Sequence, residues 1–94
     1  MKTVVIDCAF MTSVQDAHSY LAGRLSFPDY YGGNLDALSD CLGDICEQTQ
    51  LVIYRRGDAP EEMEQYVDRI IDVLRDACEE NGRLTVSFDS VHQQ

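Results

Sequence analysis

Three short apolar runs constrain the fold more than anything else in the chain. Thr3-Val4-Val5-Ile6 is continuous and rich in β-branched residues, the pattern of a strand buried on both faces. Leu51-Val52-Ile53-Tyr54 is a second strand, and Leu84, Val86 and Phe88 alternate with Thr85 and Ser87 as a third. The first two runs are separated by two stretches of helical period, the second and third by one. In the first helix Thr12 or Ser13 is the cap, with Gln15 at capping-box spacing from Thr12, and Val14, Ala17, Leu21 and Leu25 keep the period to Ser26. Pro28 stops it, and His18 falls along it as a boundary residue. The last helix opens at Pro60, with Glu61, Glu62 and Glu64 suited to its dipole. Met63, Tyr66, Val67, Ile70, Ile71, Leu74, Ala77 and Cys78 form its apolar face, and Asn81-Gly82 ends it. The order β-α-α-β-α-β predicts one α/β domain over residues 1–94, with a small three-stranded parallel sheet packed with helices. Arg55 and Arg56 read as solvated charges before a Gly57-Asp58 turn, and Asp89 to Gln94 as a frayed end.

The middle helical stretch is chemically the most unusual. Between Phe27 and Glu47 lie five acids, Asp29, Asp36, Asp40, Asp44 and Glu47, and no Lys or Arg. Asn34 is a suitable N-cap, and Leu35, Leu38, Leu42 and Ile45 recur at helical spacing, so the pattern predicts a helix from Asn34 through Glu47. On it Asp36, Asp40, Asp44 and Glu47 fall within an arc of roughly 80°, opposite the leucines. Like charges four apart on a helix repel by about 0.2–0.5 kcal/mol per pair, and Asp44 and Glu47 sit at the end that favours cations. Nothing within the helix neutralises these acids, so their counter-charges come from elsewhere. Tyr30-Tyr31-Gly32-Gly33 leads into this helix; the two rings need not share a role, and the glycines are free to adopt positive φ. In the last helix Arg69 and Arg75 have Asp72, and Arg75 also Glu79, as local partners, whereas Asp76 has none.

Charge excludes whole classes of function. Seven basic against seventeen acidic residues give a net charge of −10, which argues against direct nucleic-acid binding and against an anionic membrane, and points to a cationic partner. No apolar run approaches the roughly 20 residues that span a bilayer, and the first residues lack a secretory signal, so a cytoplasmic protein is expected. Cys8, Cys41, Cys46 and Cys78 form no C-x-x-C pair, and with only His18 and His92 there is no zinc-ligand spacing. The cysteines read as reduced and mostly buried fillers; no metal, cofactor or catalytic residue is expected.

Pro28-Asp29-Tyr30-Tyr31-Gly32-Gly33-Asn34-Leu35-Asp36-Ala37-Leu38, followed by Asp40-Cys41-Leu42, resembles the P-[ED]-Y-Y-G-x-N-L-D-A-L-x-D-x-L signature of the barstar family, intracellular inhibitors of barnase-type ribonucleases. The resemblance implies a non-enzymatic inhibitor of immunity or antitoxin type, a monomer when free, whose acidic helix enters a ribonuclease active site as a phosphate mimic. By position it implies partner contacts at Tyr30, Asn34, Leu35, Asp36, Ala37, Ser39, Asp40, Asp44, Glu47 and Asp76, with Asp40 in the phosphate-binding site and Tyr30 as an aromatic anchor. Carboxylates standing in for phosphate, met by Arg and Lys of the enzyme, would supply the missing counter-charges. The chain departs from barstar at Ser39, where barstar has tryptophan, and at Asp44-Ile45, where it has Gly-Trp, which leaves another ribonuclease or another cationic toxin open as the target. Two other readings stand on the residues alone: an acidic adaptor or subunit of a permanent complex, and a carboxylate-based, metal-dependent hydrolase.

Overall fold

The structure, a computed structural model, describes residues 1–54 and 60–89. The expected order is present: β1 (Lys2–Asp7), α1 (Val14–Leu25), α2 (Leu35–Gly43), β2 (Thr49–Tyr54), α3 (Glu64–Glu80) and β3 (Leu84–Asp89). Short 3-10 turns, Cys8–Phe10 and Glu61–Met63, precede α1 and α3. The strands are parallel in the order β1-β2-β3, with Val4 opposite Leu51 and Leu51 opposite Val86. Arg55, Arg56, the Gly57-Asp58 turn and residues 90–94 lie outside the described residues; the backbone of Asp89 belongs to β3 and is not the start of a frayed end.

Both crossovers step in the same direction across the sheet, so connections of one hand put every helix on one face. Burial follows that rule. Val4, Ile6, Leu51, Ile53 and Leu84 are buried with Ala17, Leu21 and Leu25 of α1, Leu38 and Leu42 of α2, and Val67, Ile70, Ile71, Leu74 and Ala77 of α3. On the opposite face Val5 and Val52 are only half-buried and Thr3 is exposed. The expectation of a first strand buried on both faces is therefore corrected, because among the described residues no helix covers the second face of the sheet. Among the described residues no helix is long and apolar enough to cross a membrane.

Helix ends fix the rest. Ser13 caps α1, its Oγ accepting the Asp16 N–H at 3.0 Å, while Thr12 Oγ1 donates to the Asp16 carboxylate at 2.7 Å; both bonds run to Asp16 and not to Gln15. At its other end the Phe27 N–H reaches back to the Ala22 carbonyl at 3.0 Å, a Schellman closure, which holds Ser26 at φ 58, ψ 44. β1 lies at the edge of the sheet, and α1 occupies two of its backbone groups: Arg24 Nε donates to the Val5 carbonyl at 3.0 Å, and the Asp7 N–H donates to the Tyr20 hydroxyl at 2.8 Å.

α2 stops well short of Glu47. Its last turn tightens, with the Asp44 N–H shared between the Asp40 and Cys41 carbonyls at 3.2 Å each and the Ile45 N–H on the Leu42 carbonyl at 3.3 Å. The carbonyls of Leu42 and Ile45 are then both taken by Nδ2 of Asn81, at 3.0 Å each, from the end of α3. Since β2 must pair with Lys2 from Thr49 onward, the chain has to turn between Gly43 and Thr49. Asp44 becomes the C-cap, and Glu47 leaves the helix altogether. Asn81-Gly82 ends α3 as expected, with Asn81 extended (φ −113, ψ 104) and accepting the Arg83 N–H on Oδ1 at 3.0 Å. None of the four cysteines is in a disulfide, but only Cys8 is a buried filler. Cys41 and Cys78 are half-buried, and Cys46, which falls beyond the shortened helix, is exposed.

Candidate partner-binding face

α2 is set by the residues before it. Gly33 takes φ +69, a conformation that a side chain resists, and Asn34 follows as N-cap, its Oδ1 accepting the Ala37 N–H at 2.8 Å. Of the two glycines in the entry, only Gly33 uses positive φ. Leu38 and Leu42 are fully buried and Leu35 and Ala37 half-buried, so the remaining side of the helix is turned to solvent with Asp36, Ser39 and Asp40 exposed on it. Among the described residues no hydrogen bond reaches the Asp36 or Asp40 carboxylate, and α2 carries no basic residue.

Two clefts flank this side. In one, of about 190 Å³, Pro28 and Tyr30 line one part and Cys41, Asp44 and Ile45 another. In the other, of about 330 Å³, Ser39 and Gly43 face Ala77, Glu80 and Asn81 at the end of α3. Asp76 is exposed one residue before Ala77. Glu47 is exposed in the segment leading to β2 and lines neither cleft. Asn34 is committed to the cap and Leu35 to the core, so both support the face more than they form it. Glu80 was not singled out from the sequence, although it stands four residues after Asp76 and so shares its side of α3. Arg75, expected to pair with Asp72 and Glu79, stands with its guanidinium over the Phe88 ring, 5.2 Å from the centroid.

The tyrosine pair divides its roles. The Tyr31 N–H donates to the Pro28 carbonyl at 3.0 Å, closing a turn with Tyr30 near its tip. Tyr30 is 85% exposed, while Tyr31 folds back onto Phe27, with ring centroids 4.9 Å apart. The Tyr31 hydroxyl lies 2.6 Å from Nδ1 of His18, and the Tyr66 hydroxyl of α3 lies 2.6 Å from Nε2. His18 is 3% exposed, a buried residue and not the boundary residue expected. The signal was present: position 18 joins 14, 21 and 25 in the apolar stripe of α1. Burial holds the imidazole below its ordinary value of 6.5, and burial, then Cys41 and Tyr66, push the Tyr31 phenol up to about 12. At neutral pH all three groups are uncharged. Among the described residues no group of three or more His, Cys, Asp or Glu side chains is placed to share a metal ion.

The sequence profile of the family described as "Barstar (barnase inhibitor)" matches residues 1–93. A curated protein of Bacillus subtilis (strain 168), named "Putative ribonuclease inhibitor YrdF", is 36% identical over 81 residues, covering 85% of this chain and 89% of that protein.

Proposed function

The chain belongs to the barstar family, and from that premise we propose that it is a non-enzymatic inhibitor that covers the active site of a barnase-type ribonuclease with the outer side of α2. The observation that carries this reading is the exposed Asp36 and Asp40 on a helix without a basic residue, beside an exposed Tyr30. A ribonuclease active site holds cationic side chains to bind phosphate, and a carboxylate can replace a phosphate oxygen as a charge-assisted acceptor for them. Asp40 is the central acid, Asp36 its neighbour one turn earlier, and Tyr30 the aromatic anchor. Asp44 and Asp76 sit at the two margins, Asp44 on the Tyr30 side and Asp76 on the α3 side. The shortening of α2 moves Glu47 away from this group, which leaves it a weaker contact than its sequence position implied. Such an inhibitor protects the cell that makes the enzyme, and therefore works in the cytoplasm.

The net charge of −10 gives the encounter a long-range component, so the association rate is expected to fall steeply between low and physiological salt. The test is titration of a barnase-type ribonuclease with the wild-type chain and with Asp40→Ala at both salt concentrations. Stoichiometric loss of activity is expected from the wild type. The substitution should weaken the complex by about 2–5 kcal/mol, a range for which barnase with barstar is itself the worked case and which is carried over from that complex. Equal inhibition by the two chains would remove Asp40 from the site. Absence of inhibition by either would count against barnase-type enzymes as the target.

A further inference from the structure

His18 joins three elements at one point. It projects from α1, its Nδ1 meets Tyr31 of the loop that presents Tyr30, and its Nε2 meets Tyr66 of α3. The rings pack as well as bond: the His18 centroid is 5.8 Å from that of Tyr31 and 5.7 Å from that of Tyr66, the latter edge-on. A neutral imidazole has one N–H donor and one bare nitrogen acceptor. One tyrosine must therefore donate to the ring while the other accepts from it, and the chain Tyr–His–Tyr is fully satisfied only in that state. The loop has few other ties, namely the Phe27 N–H on the Ala22 carbonyl at its start, the Pro28–Tyr31 turn, the Phe27 ring and the Asn34 cap. A cleft of about 800 Å³ separates it from Val14, Ser19 and Ala22 of α1. Across that opening, the Tyr31 hydroxyl is the link that runs to the buried side of α1.

We propose that His18 and Tyr66 are positioning residues of the partner-binding face: through the Tyr31 hydroxyl they fix the loop whose tip carries Tyr30 and whose end starts α2. The proposal rests on the inhibitor reading for its consequence in binding, but the clamp is a property of the free chain. Neither His18 nor Tyr66 meets the partner. Their effect is transmitted by Tyr31, one residue from Tyr30 and three from the Asn34 cap. Protonation of His18 turns both ring nitrogens into donors, so the tyrosine that had donated must turn its O–H elsewhere, and a cation is left among buried groups. The groups facing this cluster are Tyr31 and Phe27 from the loop, Cys41 from α2, Tyr66 and Arg69 from α3, and Asp29 at the rim of the cleft. Among the described residues no carboxylate accepts a hydrogen bond from the ring to stabilise the cation. Lowering the pH should accordingly loosen the loop.

The test measures amide hydrogen exchange of Phe27–Asn34 in the free chain, together with inhibition of a barnase-type ribonuclease, for wild type, Tyr66→Phe, Tyr31→Phe and His18→Gln. Each phenylalanine variant removes one hydroxyl, so loop exchange should rise, and inhibition weaken, by about two- to tenfold, the equivalent of one hydrogen bond, while exchange at Leu51 and Ile53 of β2 stays far slower than that of the loop and rises by no more than the loss of global stability read from urea unfolding. Between pH 7.5 and 5 the wild-type loop should gain an extra rise in intrinsic-rate-corrected exchange that His18→Gln lacks. That site-specific pH step separates positioning from a general loss of stability. Loop exchange unaltered in Tyr66→Phe, or equal pH profiles for wild type and His18→Gln, overturns the clamp. Faster exchange with undiminished inhibition overturns its role in binding. Failure of the wild type to inhibit refutes the inhibitor reading and the binding consequence with it, while exchange in the free chain still decides the clamp.

Discussion

Asn81 ties the end of α3 to the end of α2, and its removal should be felt by both. Its Nδ2 donates to the carbonyls of Leu42 and Ile45 and its Oδ1 accepts the Arg83 N–H, each at 3.0 Å. Asn81→Ala deletes all three bonds. At about 0.5–1.5 kcal/mol for each, the loss comes to roughly 2–4 kcal/mol, from a total of about 5–14 kcal/mol for a chain of this length. With a urea slope of about 1–3 kcal/mol per molar, the unfolding midpoint should fall by roughly 0.7–4 M. Asn81→Asp is the sharper probe because it keeps the shape and the bond to Arg83 while replacing the donor by an oxygen. A carboxylate there faces two carbonyl oxygens and the C-terminal ends of α2 and α3, neither of which has a basic residue in its last turn. At pH 7 this variant should be less stable than Asn81→Ala. Facing those oxygens, its carboxyl should be raised above the ordinary carboxylate range in the folded chain, so that the folded state binds the proton more tightly. The deficit relative to wild type therefore shrinks as the pH is lowered toward about 4 and grows as it rises. Urea unfolding of the three proteins at both pH values decides the matter. A loss under about 0.5 kcal/mol for the alanine, or an aspartate variant as stable as wild type at pH 7, would refute the bridge.

Three other outcomes are expected. Ser26→Gly relieves a left-handed backbone that costs a non-glycine residue about 1–2 kcal/mol; after the greater chain entropy of glycine, thermal melting should show a gain of about 0.5–1 kcal/mol, and a lower melting temperature would contradict this. Because the folded chain holds His18 below 6.5, the unfolded chain binds the proton first on acidification; the stability owed to neutral His18 is complete above that value and drains away as the pH falls below it. The difference in urea stability between wild type and His18→Gln should therefore narrow from pH 7.5 to 5, and a constant difference would refute it. Leu38→Ala empties a fully buried site beneath the carboxylate side of α2 and should cost about 2–5 kcal/mol by the same unfolding assay; a loss under about 1 kcal/mol would show that α2 is not held by this contact.

The β-α-α-β-α-β order was legible because each element carries its own period, and periods are local. The motif from Pro28 to Leu42 was legible for the same reason, and it led directly to the family. What escaped the sequence were decisions made between elements. The end of α2 depends on Asn81, nearly forty positions away, and on the register of β2 with β1, so a helical pattern through Ile45 and Glu47 gave no warning of the turn. Burial of Thr3–Ile6 on one face only depends on which side both crossovers take. The place of His18 depends on a hydroxyl from Tyr66, 48 residues on, and no window of α1 contains it. Asp36 and Asp40 were placed correctly as exposed because they lie inside one short helix whose buried side is set by Leu38 and Leu42.

The two hydrogen bonds along β1 bear on a different question, namely how the sheet is kept from growing. A strand laid beside β1 from outside would seek the Val5 carbonyl and the Asp7 N–H, and both are already engaged, by Arg24 and by Tyr20. Tyr20 is itself held by the ring of Phe10, 5.2 Å away. Templating through this edge thus requires α1 to be peeled off the sheet first, at the cost of the core that Leu21 and Leu25 share with the strands. On this side the sheet is therefore closed by side chains of its own first helix.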